Sequence, residues 1–322
     1  MAAKSFDAEL DAVNAAAHLP PAEAEPLLRK FLHHRNNLIV SRAAKHAAAL
    51  NLTQLTTELA EAFPRFMVDP AKQDPQCWAK NEIAKALAAF EYQDAQLFLT
   101  GLKHHQYEPS FGGPSDSAGP LRGTCAHALV QCRELSSMVL LRHLTPLFAD
   151  KELPVRINAA RAIEQIGSDS AALLLRLRAE LGPVPPDTES PELLGACIGG
   201  TLRLDGDDAL PWAARFITLK PLDQTDLDIS AEAAFVLAEH RSPAAVSHLT
   251  RAAEQTSNPD LRDILFSALA ASRLPESTAW LLQRIASGSL GSRSAAKALC
   301  DANPSEETLD QLKSLGHPCP SA

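Results

Sequence analysis

Four cationic or titratable residues recur along this sequence at intervals of 34 to 42 residues: His46, Lys85, His127 and Arg161. Lysine, arginine and protonated histidine donate charge-assisted hydrogen bonds to carboxylates and phosphates. If the fold sets them in one row, that row would favour an acidic peptide, a phosphorylated group or another anion. Lys85, His127 and Arg161 are therefore candidate binding residues, and a solvated face without a ligand is the other interpretation.

The segment Tyr107–Pro120 (YEPSFGGPSDSAGP) is the longest stretch without a helical pattern. Most connections in compact domains are about 4–6 residues long, and loops beyond about 12 residues are commonly functional or disordered. This segment carries Tyr107 and Phe111, aromatic side chains that an idle linker would not require. We expect Tyr107 and Phe111 to contact a partner, and a packed structural loop is the alternative.

No combination of residues indicates a metal site or a catalytic centre. His33-His34 and His104-His105 are adjacent pairs at predicted helix ends, and adjacent helical side chains point about 100° apart. His317 with Cys319 would need distant help to bind zinc. The motifs GxGxxG, GxxxxGK[ST], GxSxG and HExxH do not occur. The sequence predicts no catalytic residue, no metal and no cofactor, with a centre assembled from distant repeats left open.

A motif that recurs about every 35 residues provides the elements that would position these side chains. Its clearest copy is VRINAARAI at Val155–Ile163. The first position of each copy, here called the anchor, is Val40, Ala79, Leu121, Val155, Leu194, Ile229, Leu261 or Gly291. His46, Lys85, His127 and Arg161 each follow an anchor by six residues. Helical repeats of this length stack into a solenoid in which each unit covers its neighbour's apolar face.

Each anchor follows a predicted amphipathic helix, so each repeat is a helical hairpin. The predicted first helices are Glu23–His34, Gln54–Phe66, Ala95–His105, Ser137–Phe148, Ser170–Leu181, Ala209–Thr218, Ala244–Gln255 and Ser277–Ala286. A capping side chain precedes proline, as helix starts favour, at Asp74, Ser190, Ser242 and Asn258. Ser305–Leu315 reads as a closing helix.

The predicted fold is therefore all-α, a right-handed α-α superhelix of about eight hairpins. We expect a single domain over residues 1–322, with an N-terminal segment at 1–20 and a capping helix and tail at 305–322. Strands are not expected, because runs of alternating β-branched residues are nearly absent.

The repeat pattern resembles the HEAT-repeat family, including the bacterial HEAT-like repeats first noted in phycobilisome lyases. The resemblance rests on VRINAARAI, on LRGTCAHAL at Leu121–Leu129 and on AKNEIAKAL at Ala79–Leu87, with weaker copies at Ile229–Leu237 and Gly291–Leu299. It covers nearly the whole chain, and it implies a fold rather than a chemistry.

The resemblance also implies a ladder of acidic and basic residues between repeats. HEAT-like proteins place an aspartate in the turn within a repeat and a basic residue in the second helix. Here the basic residue at anchor +1 follows an aspartate by six in three consecutive repeats: Asp74/Lys80, Asp116/Arg122 and Asp150/Arg156. In two other repeats the pattern is incomplete: Gly195 stands where a basic residue would follow Glu189 by six, and no acid precedes Arg262 by six. We expect structural pairs that, if exposed, each contribute no more than ~1 kcal/mol.

Charge and cysteine content narrow the function classes. The net charge of −9 and the isoelectric point near 5.7 argue against a nucleic-acid sleeve, which would be basic. An acidic block between Asp187 and Asp260 reads as a solvated face, with docking of a basic partner the minority interpretation.

No apolar run reaches the roughly 18 residues of a membrane span, and no signal-peptide pattern opens the chain, so a cytoplasmic protein is expected. The six cysteines form no CxxC pair and are expected to be buried free thiols.

These observations favour a non-enzymatic scaffold or adaptor for protein–protein interaction. Its partner would lie on the concave face, lined by the second helices, and on the 107–120 loop. The resemblance leaves open an enzyme subunit of the bilin-lyase type, for which no chromophore contact can be assigned. A HEAT-like DNA-binding protein is a third class, disfavoured by the acidic composition.

Overall fold

The computed structural model describes residues 2–182 and 191–320, which divide into two compact units, Met1–Ile166 and Gly167–Ala322. We call these the N-terminal unit and the C-terminal unit. Helices dominate both, so the predicted all-α class is confirmed. Among the described residues, no helix has the length and apolar character needed to cross a lipid bilayer.

The N-terminal unit contains ten α-helices and one strand pair within its described residues. The helices are α1 (Ala2–Ala16), α2 (Pro21–Leu32), α3 (Asn37–Ala49), α4 (Thr56–Arg65), α5 (Pro70–Gln73), α6 (Trp78–Ala89), α7 (Ala95–Leu102), α8 (Gly119–Val130), α9 (Ser137–Leu144) and α10 (Leu153–Gln165). The strands are β1 (Tyr107–Ser110) and β2 (Gly113–Asp116), and 3-10 turns occupy Thr53–Leu55, Pro75–Cys77 and Thr145–Ala149. Most of the predicted N-terminal segment 1–20 is helix α1.

Second helices pack side by side in this unit, in the order α3, α6, α8, α10, and each is covered by the first helix of its own hairpin, α2, α4, α7 or α9. The four anchors of these second helices, Val40, Ala79, Leu121 and Val155, are at most 1% exposed. Alanines one turn further on are also buried, and their small side chains let neighbouring helices approach closely. The predicted repeats are thus the packing units of the structure.

The C-terminal unit repeats the same arrangement. Its helices are α11 (Asp169–Glu180), α12 (Pro191–Asp205), α13 (Leu210–Ala213), α14 (Gln224–His240), α15 (Pro243–Gln255), α16 (Pro259–Ser272), α17 (Pro275–Ala286), α18 (Ser292–Asp301) and α19 (Glu306–Ser314), with 3-10 turns at Gly206–Ala209 and Ala214–Phe216. The second helices α12, α14, α16 and α18 pack in sequence, and each contacts its own first helix. The predicted first helix Ala209–Thr218 is instead a short α-helix between two 3-10 turns.

Helix starts follow the predicted capping chemistry. Ser242 accepts a hydrogen bond from the backbone N–H of Ala245 at 3.2 Å, and Asn258 accepts one from Leu261 at 2.9 Å. These side chains satisfy N–H groups that have no partner within the helix. The predicted cap at Ser190 and the acid at Glu189 lie outside the described residues.

The prediction of six free thiols is wrong for two cysteines. Cys300, in the last turn of α18, forms a disulfide with Cys319 in the tail, 19 residues away, whereas Cys77, Cys125, Cys132 and Cys197 are free and buried. Local spacing gave no sign of this pair, because the chain returns to α18 only after passing through α19. The disulfide also occupies Cys319, which removes it as a zinc ligand beside His317.

Reduction of this disulfide is expected to loosen α19 without unfolding the rest of the C-terminal unit. The helix packs on α17 through a short contact, and the cross-link limits the freedom of the segment once it detaches. Limited trypsin digestion should cut after Lys313 severalfold faster with a reducing agent than without one. A Cys300→Ser/Cys319→Ser variant should behave like the reduced protein under both conditions. Equal cleavage of oxidised and reduced chains would contradict this prediction.

Candidate functional site

The segment predicted as a loop at 107–120 is a β-hairpin followed by the start of α8. β1 and β2 are antiparallel, with Tyr107 opposite Asp116 and Ser110 opposite Gly113. Phe111 and Gly112 form the two-residue turn, and Gly112 and Gly113 have φ of 98° and 129°, which residues with a side chain rarely adopt. The expectation that the chain lacks strands is therefore wrong here, because turn geometry and the contacts below replace β-branched residues as the cause of pairing.

Glu108 attaches the hairpin to the preceding repeat. Its carboxylate accepts hydrogen bonds from the backbone N–H of Gln76 at 2.9 and 3.0 Å, the side-chain amide of Gln76 at 2.8 Å and the hydroxyl of Ser117 at 3.1 Å, and also from the amide of Gln106. Burial opposes ionisation of Glu108, but these donors and the nearby Lys80 outweigh it and lower the pKa of Glu108. The carboxylate thus stays ionised and holds the hairpin on the turn before α6.

Asp116 fixes the other strand to the start of α8. Its carboxylate accepts from the backbone N–H of Gln106 at 2.9 Å and of Ala118 at 3.0 Å, and it contacts Nδ1 of His105 at 2.8 Å and Nη1 of Arg122 at 2.8 Å. Burial again opposes ionisation, and the hydrogen bonds again lower the pKa of Asp116. Both strands of the hairpin are therefore held at its base by charge-assisted bonds.

Arg122 joins two consecutive repeats. Its guanidinium donates to Asp116 of its own repeat at 2.8 Å and makes two bonds to Asp150 of the next repeat, at 2.7 and 2.9 Å. The same group donates to the carbonyl of His104 at 2.9 Å and is 1% exposed. Burial alone would lower the pKa of Arg122, but Asp150 and Asp116 raise it, so the charge is retained.

Two of the three predicted ladder pairs, Asp74/Lys80 and Asp116/Arg122, are ion pairs, and they are buried rather than exposed; the Asp150 carboxylate pairs with Arg122 rather than with Arg156. Lys80 is fully buried, and its ammonium lies 3.1 Å from Asp74 and donates to the carbonyl of Phe66 at 3.2 Å. Arg156 donates to the backbone carbonyl of Asp150 at 2.7 Å. The limit of ~1 kcal/mol for exposed pairs therefore does not apply, because removing one member of a buried pair leaves an uncompensated charge.

Acidification is expected to release the hairpin. A carboxyl whose pKa is lowered in the folded state contributes stability that is fully present above its unfolded pKa, about 4.3 for Glu and 3.9 for Asp. That contribution is lost as the pH falls through the lower, folded pKa values of Glu108 and Asp116. Hydrogen exchange of the 107–116 amides, corrected for intrinsic rates, should show protection lost below about pH 4. Protection that does not change with pH would contradict the assigned anchors.

The hairpin presents its aromatic side chains to solvent. Phe111 at the turn is fully exposed, and Tyr107 is 56% exposed while its ring stacks on His105 with centroids 6.3 Å apart. Neither ring fills the core of the N-terminal unit. Both side chains are thus accessible at the surface, and their contact with a partner stays a prediction.

A cleft of about 790 Å³ lies beside the hairpin, and we call it the hairpin cleft. The end of α7, strand β2, helix α9 with its 3-10 turn, and the turn before α10 enclose it. The cations on its walls are Lys103, Arg142 and Lys151, and the histidines are His105 and His143. The apolar residues of the lining include Leu102, Tyr107, Pro114, Pro146 and Leu147. The charged lining is completed by Arg122, Asp116, Asp150 and Glu152. A volume of this size is typical of ligand-binding clefts.

The residues at anchor +6 occupy a different surface, on the second helices. Lys85 and Arg161 are exposed, and Lys85 pairs with Glu82 at 2.7 Å. His127 is half-buried and lies 3.0 Å from the side-chain oxygen of Asn158 and 3.3 Å from that of Gln165. None of the three lines the hairpin cleft, so these residues and the hairpin do not form one cluster around it.

Metal and thiol chemistry find no support in the described parts of the chain. No group of three or more His, Cys, Asp or Glu side chains there is arranged to hold a metal ion. Burial raises the pKa of Cys77 to about 12 and that of Cys132 to about 11, which keeps both thiols protonated at neutral pH.

Sequence reasoning missed Glu108, Lys103, Arg142 and Lys151. Glu108 had one usable signal, since it is one of two acidic residues in a segment rich in glycine and proline. The three cations come from separate elements and share no spacing.

Comparison with known proteins assigns neither a family nor functional residues to this chain. No protein-family model matches the sequence, and no curated protein matches it. Among solved structures, the chain is similar to the complex of CpcE and CpcF of phycocyanin lyase from Nostoc sp. PCC7120, with 16% identity and a TM-score of 0.38 over 78% of this chain and 94% of that chain. At this level of similarity, no residue and no activity is carried over.

Proposed function

We propose that this chain is a non-enzymatic, helical-repeat binding protein that contacts a protein partner through its β-hairpin. The observation that carries the proposal is the contrast between the two ends of the hairpin. Its base is held by the buried carboxylates of Glu108 and Asp116, whereas Phe111 at its tip is fully exposed.

A rigid base makes an exposed aromatic residue effective in binding. Association must offset the entropy of ordering loops and side chains, so a preordered hairpin loses less on binding than a flexible loop. Aromatic residues contribute much of the energy at protein interfaces. Phe111 and Tyr107 therefore suit a partner with an apolar pocket.

The second helices offer a further contact surface. Lys85 and Arg161 are exposed there and could meet acidic groups of the same partner. His127 contributes less, because its ring already contacts Asn158 and Gln165. In this proposal the hairpin supplies most of the affinity, and Lys85 and Arg161 supply orientation.

Removal of the Phe111 side chain at the tip of the hairpin tests the proposal. Phe111→Ala should reduce retention of the partner from a lysate of the source organism at least tenfold, or about 1.4 kcal/mol, which is a moderate effect for an interface aromatic. Because the Phe111 side chain has no intramolecular role, the melting temperature should not change. This single change is preferable to replacing residues 107–119, which would also remove Glu108 and Asp116.

Leu222→Ala is the matched control, since Leu222 is 93% exposed in the C-terminal unit. It should retain the partner as the wild type does. Light scattering over a range of protein concentrations shows whether the bound species is a second copy of this chain. Equal retention by wild type and Phe111→Ala would refute the proposal.

A further inference from the structure

The hairpin cleft contains three positive charges that the protein itself does not use. Lys103 directly follows α7, Arg142 lies in α9 and Lys151 lies in the turn before α10, and all three are exposed. Within residues 2–182 and 191–320, none of the three has a hydrogen bond or ion pair through its side chain. Their charges are therefore available to a ligand.

The carboxylates of the cleft offset part of this charge but not all of it. Asp116 and Asp150 are bound to Arg122 at the base, with side chains 6% and 4% exposed. Glu152 is the remaining acid on the wall. The lining thus holds four cations and three carboxylates, which leaves one net positive charge. A net positive cleft stands out in a chain whose net charge is −9.

The distribution of the cations indicates the form of the ligand. They come from three separate elements around the cleft, an arrangement that fits several carboxylates along an extended chain better than one compact dianion. Apolar side chains such as Leu102, Pro146 and Leu147 line the same cleft and suit the aliphatic parts of a peptide. Tyr107 and β2 belong both to the cleft and to the hairpin, so one partner segment can contact the two together.

We infer that the hairpin cleft binds an acidic peptide segment, rich in Asp and Glu, of the protein partner that contacts Phe111. This inference rests on the proposed function and adds the chemistry of the partner. Lys103, Arg142 and Lys151 pair with successive carboxylates of the segment, and Phe111 holds an apolar group next to it.

The test uses the full chain and a labelled hexaglutamate peptide, with hexaglutamine and inorganic phosphate as comparison probes. Wild type should bind hexaglutamate with a Kd below about 1 mM and should bind hexaglutamine at least tenfold more weakly. The affinity should fall when salt is raised from about 50 to about 300 mM, because exposed charges are screened. Binding of phosphate without binding of hexaglutamate would overturn the inference.

Two triple variants distinguish binding by the cleft from a general effect of the protein's net charge. Lys103→Glu/Arg142→Glu/Lys151→Glu should weaken hexaglutamate binding at least tenfold. Arg42→Glu/Lys45→Glu/Arg133→Glu changes the net charge equally at exposed positions outside the cleft, and it should change binding less than threefold. Similar losses in both variants, or no loss in the first, would overturn the inference.

The variant Phe111→Ala distinguishes this inference from the proposed function. Hexaglutamate has no large apolar group, so Phe111→Ala should leave its affinity unchanged while reducing retention of the partner. If Phe111→Ala reduces partner retention but the cleft variant does not, the acidic-segment inference fails and the proposed function stands. If Phe111→Ala has no effect on the partner, the proposed function fails, whatever the peptide result.

Discussion

Replacing Arg122 with alanine is expected to destabilise the N-terminal unit by about 3–5 kcal/mol, the range for removing one partner of a buried ion pair. The guanidinium makes all of its described contacts in the interior, to Asp116, Asp150 and the carbonyl of His104. Its removal leaves two carboxylates that are nearly inaccessible to water. The change also leaves a cavity where the long side chain lay.

Hydrogen exchange of α8 and α10 amides, with urea unfolding followed in parallel, measures this effect. Arg161→Ala is the matched control, because Arg161 is an exposed arginine on α10 and its loss should change stability by less than about 0.5 kcal/mol. Adding Asp150→Asn to Arg122→Ala should recover part of the loss, since one stranded charge disappears. An effect of Arg122→Ala no larger than that of Arg161→Ala would show that the buried network does not stabilise the unit.

Replacing Glu108 with alanine is expected to detach the hairpin, with a loss of about 3 kcal/mol that is confined to the hairpin and the turn before α6. The donors on Gln76, Gln106 and Ser117 would lose their shared acceptor. Gln76 has φ of 61°, a strained conformation for a residue with a side chain, and Glu108 holds it in place. Without that carboxylate the turn can relax.

Amide exchange over residues 105–117 should rise strongly in Glu108→Ala, while α3 and α10 keep their protection. Partner retention should fall as well, because the aromatic tip is no longer preordered. Glu108→Gln keeps one acceptor oxygen and should give an intermediate result. Glu91→Ala removes an exposed carboxylate in the same unit and is the control. Unchanged exchange in Glu108→Ala would mean that strand pairing alone holds the hairpin.

The repeats could be predicted from the sequence because their signals are local and periodic. Anchors such as Val40, Leu121 and Val155 recur at nearly constant intervals, and burying one apolar face per hairpin forces the stacking that is observed. The ladder partners were visible for the same reason, since each acid precedes its basic residue by six positions.

The hairpin, the residues that anchor it and the hairpin cleft depend instead on contacts between distant parts of the chain. Arg122 reaches Asp150, 28 residues away, and Glu108 reaches Gln76, 32 residues away, and no periodicity connects either pair. The strand pair is stabilised by those contacts rather than by its own composition, so strand propensity gave no indication of it. Lys103, Arg142 and Lys151 come together only when three elements pack, so the sequence pattern indicates only the periodic row at Lys85, His127 and Arg161.

The chain of contacts from Gln76 through Glu108, Gln106, Asp116 and Arg122 to Asp150 has a mechanical consequence. A stack of separate helical hairpins extends under tension as a soft spring, with each layer sliding against the next. Here one continuous network of hydrogen bonds and ion pairs connects three layers, those of α6, α8 and α10, and resists that sliding. The part of the N-terminal unit from α6 to α10 is therefore expected to be its stiffest, and bending or stretching of this unit is expected to fall on the layer before α6.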